Sequence, residues 1–271
     1  MAKLSEALST VHDSRIRHIV SLSGGKDSTA LAIYLRNQYP QIPAEYVFCD
    51  TGTELPETYE YLQRLEAFLG KPISRLSALD VAGVRQKGSR TAFDLYLNEV
   101  FSGFLPSPRS RWCTRVLKIE PFEAFVGETQ AFSYIGIRAD ESREGYQPQK
   151  PPVISERPNI LPVYPLRDDG IGITGVKRLL EESGLGLPDY YKWRSRSGCY
   201  FCFYQQIGEW KGLAVRHPEL FERAKAYERV EGERRFTWTA GRTLDDIAKL
   251  PSERASIPDA EGTEGCAICH L

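Results

Sequence analysis

A short apolar segment near the start of the chain runs directly into two glycines, and a helical pattern follows at once. Residues 17–23 have the apolar centre and polar flanks of a buried strand. Gly24 and Gly25 come next, and the residues after them place apolar side chains at helical spacing. A strand, a tight turn and a helix in this order are the first half of a βαβ unit, so they constrain the fold of the whole chain.

The same alternation continues along the first half. Residues 46–50 are predicted to form a second strand, and a helix is predicted from Pro56 to a stop at Gly70. Further strands are predicted over 73–78 and 132–137. Strands that alternate with helices predict an α/β fold with a doubly wound, mostly parallel sheet. Ligands of such sheets bind at the carboxyl ends of the strands.

The second half of the chain is less regular. Residues 146–162 contain five prolines and are predicted to be an extended connection, and helices are predicted over 174–183 and from Pro218. We therefore expect a core of residues 1–145 and an irregular helical C-terminal region of residues 146–271. The second region is expected to complete the core, so that the chain forms one compact unit.

Charge and hydropathy exclude several classes of protein. The 35 Lys and Arg residues nearly balance the 36 Asp and Glu residues, so the chain as a whole is not a polyanion-binding protein, although a local basic patch remains open. No apolar run approaches the ~18 residues that a membrane span needs. The first seven residues lack the apolar core of a signal peptide. A cytoplasmic protein without a membrane partner is expected.

The six residues from Ser23 to Ser28 are predicted to bind phosphate. Paired glycines let the backbone approach a ligand closely, and the helix start supplies free N–H groups and a positive dipole. Lys26 adds charge, and the two serines can donate hydrogen bonds to phosphate oxygens. The loop is not a Walker motif, because Val20 stands where that motif needs glycine and Asp27 where it needs Ser or Thr.

This loop, Ser-Gly-Gly-Lys-Asp-Ser, resembles the signature of the N-type ATP pyrophosphatases (PP-loop enzymes), which cleave ATP between the α and β phosphates. Four later segments are similar, in the expected order, to motifs of the phosphoadenosine-phosphosulfate (PAPS) reductase family: 49–59, 111–118, 136–143 and 198–202. The resemblance covers roughly residues 17–271. It implies an adenine nucleotide alpha hydrolase-like fold, with ATP and Mg²⁺ as cofactors.

Each segment has a physical role within this resemblance. Asp50 is expected to bind Mg²⁺ or the ribose, with a turn-forming role as the alternative. Arg138 and Arg143 offer forked donors for phosphate oxygens, although either arginine taken alone is as readily a solvated surface charge. Lys118 is expected to neutralise charge that develops on the bridging oxygen. The expected nucleotide site comprises Ser23, Gly24, Gly25, Lys26, Asp27, Ser28, Asp50, Thr51, Gly52, Arg138 and Arg143, with Lys26, Asp27 and Lys118 as catalytic residues.

Cysteines are grouped in a way that favours metal or thiol chemistry over disulfides in a reducing compartment. The six are Cys49, Cys113, Cys199, Cys202, Cys266 and Cys269. Cys49 lies in an apolar strand and is expected to be a core residue. The other five can supply four ligands to a [4Fe–4S] cluster or to tetrahedral zinc, and spacing alone leaves both open. The resemblance to iron–sulfur sulfonucleotide reductases and DNA phosphorothioation enzymes favours the cluster.

The cysteine pattern also departs from that of the iron–sulfur reductases. Trp112 precedes Cys113 where those enzymes have tandem cysteines, and the C-terminal tail carries two thiols where they have one. We expect Cys113 and the first Cys-x-x-Cys pair to bind the metal together with Cys266 or Cys269. The remaining tail thiol is expected to stay reactive.

The chain most resembles the ATP-pyrophosphatase component of DNA phosphorothioation systems (Dnd and Ssp types). This implies that ATP adenylates a phosphate acceptor, and that sulfur from a cysteine desulfurase or another donor then displaces AMP. DNA and DNA-modification subunits are implied partners, and a homodimer is allowed. The alternatives are a reductase of PAPS or adenylyl sulfate, a tRNA-thiolating relative, and a non-catalytic nucleotide-binding subunit.

Overall fold

The computed structural model of the chain describes residues 2–84, 90–141, 155–231 and 234–251. Within these ranges, no helix combines the length and the apolar character that crossing a membrane requires. Three of the expected site residues, Arg143, Cys266 and Cys269, lie outside the described residues.

Five strands form the central sheet, and two more form a small antiparallel hairpin. The strands are β1 (Ile16–Leu22), β2 (Ala44–Cys49), β3 (Ile73–Leu76), β4 (Gln130–Tyr134), β5 (Ile160–Val163), β6 (Arg229–Glu231) and β7 (Arg234–Phe236). The helices are α1 (Leu4–Leu8), α2 (Lys26–Gln38), α3 (Pro56–Leu69), α4 (Ala78–Val81), α5 (Ala92–Leu95), α6 (Trp112–Thr114), α7 (Glu120–Val126), α8 (Pro165–Asp168), α9 (Ile173–Glu182), α10 (Ile207–Arg216), α11 (Pro218–Ala226) and α12 (Leu244–Lys249). Short π-helical turns cover Tyr96–Val100 and Arg115–Ile119, and a 3₁₀ turn covers Asp189–Lys192.

The central sheet is parallel throughout and has the strand order β3-β2-β1-β4-β5. This confirms the predicted α/β fold with a doubly wound parallel sheet. The direction of winding reverses between β1 and β4. In sheets of this kind the crevice at such a reversal is where ligands bind, beyond the carboxyl ends of the strands.

Helices cover both faces of the sheet because the strand side chains alternate between them. Val20 and Leu22 of β1 pack in the cluster that includes buried residues of α2, α3 and α9. Ile19 points the other way and packs with Phe122 and Val126 of α7. Both faces of the sheet are therefore buried under helices, which is usual for a parallel sheet.

A third apolar cluster lies outside the sheet and is built largely from aromatic rings. Phe201 stacks on Trp238 with 4.9 Å between ring centroids, and Phe93 lies 4.3 Å from Phe201. Phe93 also stacks on Trp112 at 5.4 Å. This cluster joins residues from the middle of the chain to its second half, and Cys113 and Cys199 pack against it.

One prediction for the second half is wrong. Residues 160–162 were expected within an extended connection, but they belong to β5 (Ile160–Val163) at the edge of the sheet. Pro162 lacks a backbone N–H, so only an edge strand can accept it without losing a ladder hydrogen bond. The sequence pattern did not reveal the strand because it is four residues long and includes this proline.

Candidate functional site

The segments expected to bind nucleotide lie at the carboxyl ends of three neighbouring strands. The glycine loop follows β1, residues 50–52 follow β2, and Arg138 comes four residues after the end of β4. The order of the strands therefore brings together segments that are far apart along the chain. These loops surround the crevice where the direction of winding reverses.

The glycine loop has a backbone shape that requires glycine. Gly24 has a φ of +70°, and a Cβ at this position would lie 2.5 Å from the Thr58 methyl group. The Ser23 N–H donates to Ser28 Oγ at 3.1 Å, and the Gly25 N–H is 3.3 Å from Ser23 Oγ. The two serines thus hold the loop together from inside, in addition to the donor role that the sequence predicts.

Two adjacent tyrosines from the 3₁₀ turn at Asp189–Lys192 also hold the loop. The Tyr190 hydroxyl donates to the Gly24 carbonyl at 2.7 Å. The Lys26 N–H donates to the Tyr191 hydroxyl at 3.2 Å, and the Lys26 ammonium lies 5.2 Å from the centroid of the same ring. Sequence reasoning missed both tyrosines, because no short motif links them to a loop more than 160 residues earlier.

A serine from the same part of the chain completes this contact. Ser197 Oγ lies 3.2 Å from Ser23 Oγ, and a Cβ on Gly25 would come within 2.7 Å of Ser197 Oγ. Gly25 is therefore needed for the close approach of the second half of the chain, as well as for the approach of a ligand.

Near the start of α2, four charged side chains of alternating sign contact one another in sequence. Lys26 is only 2% exposed, and its ammonium is 3.5 Å from an Asp27 oxygen. Arg138 donates to Asp27 at 3.0 Å and to Asp140 at 2.9 Å. Burial alone would lower the pKa of Arg138, but Asp27 and Asp140 outweigh burial and raise it. The structure thus places Arg138 beside the glycine loop, with its guanidinium bound to two carboxylates.

The turn after β2 is shaped by its aspartate. One Asp50 oxygen accepts the Gly52 N–H at 2.9 Å and the Tyr59 hydroxyl at 2.7 Å. The other oxygen is 3.8 Å from an Arg75 nitrogen. The turn-forming role that the sequence left open is therefore present, and the role in binding Mg²⁺ or ribose stays a prediction.

A buried glutamate that the sequence analysis missed supports the same turn. Glu54 accepts the Thr51 hydroxyl at 2.7 Å and the backbone N–H groups of Thr51 and Thr53, each at 3.3 Å. Burial raises the pKa of Glu54; the Lys118 ammonium opposes this rise, and the Asp50 carboxylate adds to it. Glutamates are rarely buried without partners, so only the folded structure distinguishes this one from a surface residue.

The three described cysteines of the expected metal set meet at one pocket. Cys113, Cys199 and Cys202 line it together with Thr51 and Lys118 of the expected nucleotide site. Thr51 Oγ1 is 3.7 Å from Cys199 Sγ. An isolated β-bridge between residues 54 and 199 fixes the turn after β2 against the Cys-x-x-Cys segment. We call this the thiol pocket.

The thiols are held in a partly buried, crowded environment. Burial raises the pKa of Cys113 to about 12, and the neighbouring Cys199 and Cys202 contribute to the rise. The pKa of Cys199 is raised by burial and by Glu54, against the opposing effect of Lys118. The guanidinium of Arg196 donates to Cys202 Sγ at 3.4 Å. The three thiols are therefore close enough to interact electrostatically.

Three cysteine thiols are suitable ligands for an iron–sulfur cluster or for zinc, but the described residues alone do not form a complete metal centre. Among them, no three His, Cys, Asp or Glu side chains are grouped as a bound metal ion would require. Cys266 and Cys269, one of which is expected to complete the set, lie outside the described ranges, so the metal centre stays a prediction. Cys49 is confirmed as a core residue, because it is 7% exposed and its thiol donates to the Lys118 carbonyl at 3.3 Å.

Comparison with known proteins gives a family match over most of the chain. The model of the phosphoadenosine phosphosulfate reductase domain matches residues 17–205. An uncharacterized protein of Methanocaldococcus jannaschii is 27% identical over 212 residues, which are 76% of this chain and 40% of that protein. An uncharacterized protein of Escherichia phage 186 is 26% identical over 258 residues, or 79% of this chain and 75% of that protein. The chain thus spans less than half the length of the archaeal relative.

Two solved structures are among those similar to this chain. The PAPS reductase from Candida auris, in a phosphate complex, has a TM-score of 0.49 and 15% identity, over 73% of this chain and 88% of that chain. The U34-tRNA thiolase NcsA from Methanococcus maripaludis, with its [4Fe–4S] cluster, has a TM-score of 0.44 and 17% identity, over 91% of this chain and 87% of that chain.

Proposed function

The chain belongs to the phosphoadenosine phosphosulfate reductase domain family, and on this premise we propose that it is an ATP pyrophosphatase that prepares a phosphate group for sulfur transfer. An acceptor oxygen attacks the α phosphorus of ATP, and pyrophosphate leaves. Persulfide sulfur from a cysteine desulfurase or another donor then attacks the acceptor phosphorus, and AMP leaves with the oxygen. An added thiol reduces the remaining S–S bond, which releases the donor cysteine and leaves the thiophosphate. The proposed acceptor is the DNA backbone, so that the product is a phosphorothioate.

The meeting of the nucleotide segments and the thiols in one pocket carries this proposal. Thr51, one residue after Asp50, lies 3.7 Å from Cys199 Sγ, and Lys118 lines the same pocket. An adenylated phosphate is reactive toward water, so sulfur must reach it where it forms. A thiol-lined pocket that shares a wall with the nucleotide site supports that arrangement.

Residues of this chain divide the work as follows. The N–H groups at the start of α2 and the Lys26 ammonium bind the phosphates, since both supply positive charge at the crevice. Lys118 neutralises charge on the oxygen that bridges the α and β phosphates. The Asp50 carboxylate is close enough to raise the pKa of Glu54. A divalent cation bound between the two carboxylates would relieve the repulsion between their negative charges. Mg²⁺, when bound, supplies charge neutralisation on the phosphate oxygens.

The thiols are proposed to act as ligands. Cys113, Cys199 and Cys202 would hold a [4Fe–4S] cluster, or zinc as the alternative, with Cys266 or Cys269 as the fourth ligand. A cluster supplies a site where sulfur or electrons are carried.

The products of ATP turnover test the proposal. The full chain is incubated with ATP and Mg²⁺, and nucleotides and phosphates are separated. AMP and pyrophosphate are expected, whereas ADP and orthophosphate as the only products would refute the proposal. A second reaction adds a DNA oligonucleotide, a cysteine desulfurase, cysteine and a thiol reductant, and mass spectrometry then looks for exchange of one oxygen for sulfur.

Reduction of a sulfonucleotide is the second candidate, favoured by the family match itself. Release of sulfite from PAPS or adenylyl sulfate in the presence of thioredoxin, without pyrophosphate release from ATP, would establish it. Sulfur in tRNA rather than DNA would instead indicate a tRNA-thiolating enzyme. ATP binding without turnover when all partners are present would indicate a non-catalytic nucleotide-binding subunit.

A further inference from the structure

The two segments that carry the described thiols of the pocket are strongly basic, although the chain as a whole has a net charge of −1. Residues 101–119 include four basic residues and no Asp or Glu, and residues 190–208 include three basic residues and no Asp or Glu. The basic residues are Arg109, Arg111, Arg115, Lys118, Lys192, Arg194 and Arg196. Seven of the 35 Lys and Arg residues thus lie in the two stretches that contain the described thiols of the pocket.

The fold brings part of this charge to the edge of the thiol pocket. The guanidinium groups of Arg111 and Arg196 lie 5.9 Å and 4.7 Å from the centroid of the Tyr204 ring. Phe203, the neighbour of Tyr204, lines the pocket, and so does Pro106 of the loop that leads to Arg111. Aromatic and guanidinium groups therefore alternate beside the thiols.

Two further arginines extend this surface into solvent. Arg109 is exposed in the turn closed by backbone hydrogen bonds between Ser107 and Ser110. Arg115 is 72% exposed and begins the π-helical turn that follows α6, four residues after Arg111. Glu120 is 3.3 Å from Arg115 and offsets part of its charge.

We propose that Arg109, Arg111, Arg115 and Tyr204 form a surface, here called the basic rim, that binds the backbone of DNA and presents it to the thiol pocket. The proposal rests on the proposed function and names where its acceptor binds. Arginine forks match phosphate oxygens, and backbone contacts of this kind position a nucleic acid without reading its sequence. An aromatic ring between cations offers a stacking surface for a base, which a purely acidic protein partner would not use.

Charge reversal tests the basic rim. Binding of a fluorescently labelled DNA oligonucleotide is followed by anisotropy at several salt concentrations, without ATP, for the full chain and for Arg115→Glu. A matched control is Arg178→Glu on α9, because Arg178 is 73% exposed and its guanidinium is 4.0 Å from Glu182. Arg115→Glu should weaken binding about fivefold and reduce the slope against log salt by about one phosphate contact. Arg178→Glu should change binding less than twofold.

Several outcomes would overturn the basic rim. These are absence of DNA binding by the wild-type chain, an equal loss in Arg178→Glu, and RNA of the same sequence binding tenfold more tightly than DNA. Circular dichroism checks that each variant is folded, and Arg109→Glu gives a second, independent reversal in a loop. The proposed function fails separately: a chain that releases AMP and pyrophosphate without binding DNA refutes only the basic rim. A chain that binds DNA through the rim but forms no AMP refutes only the ATP chemistry.

Discussion

Replacing Tyr190 by phenylalanine removes a single hydroxyl from the back of the glycine loop. That hydroxyl donates to the Gly24 carbonyl at 2.7 Å, and Tyr190 is fully buried. A buried carbonyl that loses its donor costs about 1–3 kcal/mol. A loop that binds phosphate through N–H groups must also keep its carbonyls turned away from the anion. Tyr190→Phe should therefore weaken ATP binding roughly tenfold, which corresponds to about 1.4 kcal/mol.

The chain contains a matched control for this change. The Tyr61 hydroxyl donates to the Gly186 carbonyl at 2.8 Å, and Tyr61 is 2% exposed. Tyr61→Phe thus removes the same kind of hydrogen bond from a residue of α3 and leaves the Tyr190 hydrogen bond to the glycine loop in place. It should lower the free energy of unfolding by a similar amount, about 1–2 kcal/mol, and leave the ATP dissociation constant unchanged.

Two measurements separate the effects of Tyr190→Phe. Urea denaturation gives the free energy of unfolding, and isothermal titration calorimetry gives the ATP dissociation constant. The two variants should lose similar stability, and only Tyr190→Phe should lose ATP affinity. If both variants bind ATP as the wild-type chain does, or both weaken equally, the hydroxyl does not position the loop.

Three further predictions concern the loop, the thiols and the sheet. Lys26→Ala should abolish AMP release with little change in melting temperature, while Lys192→Ala, at an exposed lysine, should retain it; turnover by Lys26→Ala would remove that residue from the site. Anaerobically purified protein should contain about four irons per chain, and Cys199→Ser should lose them while Cys49→Ser keeps them; iron retained by Cys199→Ser would contradict the ligand set. Burial lowers the pKa of His18 from 6.5, so the native state binds fewer protons than the unfolded chain and stability should fall as pH drops below about 6.5. His18→Asn should show a weaker pH dependence of the unfolding free energy, and an unchanged dependence would count against this assignment.

Local sequence signals predicted the parts of the fold that depend on neighbouring residues. Helix α3 begins with Pro56, as predicted, and Gly70 follows its end in a left-handed conformation with a φ of +65°. The fixed φ of proline and the freedom of glycine act within a residue or two, so a short window of sequence contains them. The edge strand β5 was missed because its four residues include Pro162 and give no local strand signal; only their pairing with β4 makes them a strand.

In the candidate site, too, the features that depend on neighbouring residues were predictable and those that depend on the fold were not. The glycine loop and the Cys-x-x-Cys pair are local patterns, so the sequence alone revealed both. It predicted the loop at the end of the first strand and the cysteine pair in the second half of the chain. Glu54 and Tyr190 became visible only when the fold buried them against the loops that they support. Arg138 shows the converse: its sequence context suggests a phosphate ligand, and the fold gives it Asp27 and Asp140 as partners.

One segment of the second half connects the glycine loop to the thiols of the thiol pocket. It begins at Tyr190, which holds the Gly24 carbonyl, and it ends at the Cys-x-x-Cys pair. Between them, the fully buried Arg194 donates to the carbonyls of Gly198 at 3.1 Å and Cys199 at 2.7 Å. A shift of the loop on binding phosphate must move Tyr190 or break its hydrogen bond. Arg194 fixes the end of the same segment, so the glycine loop and Cys199 are both held by one stretch of backbone.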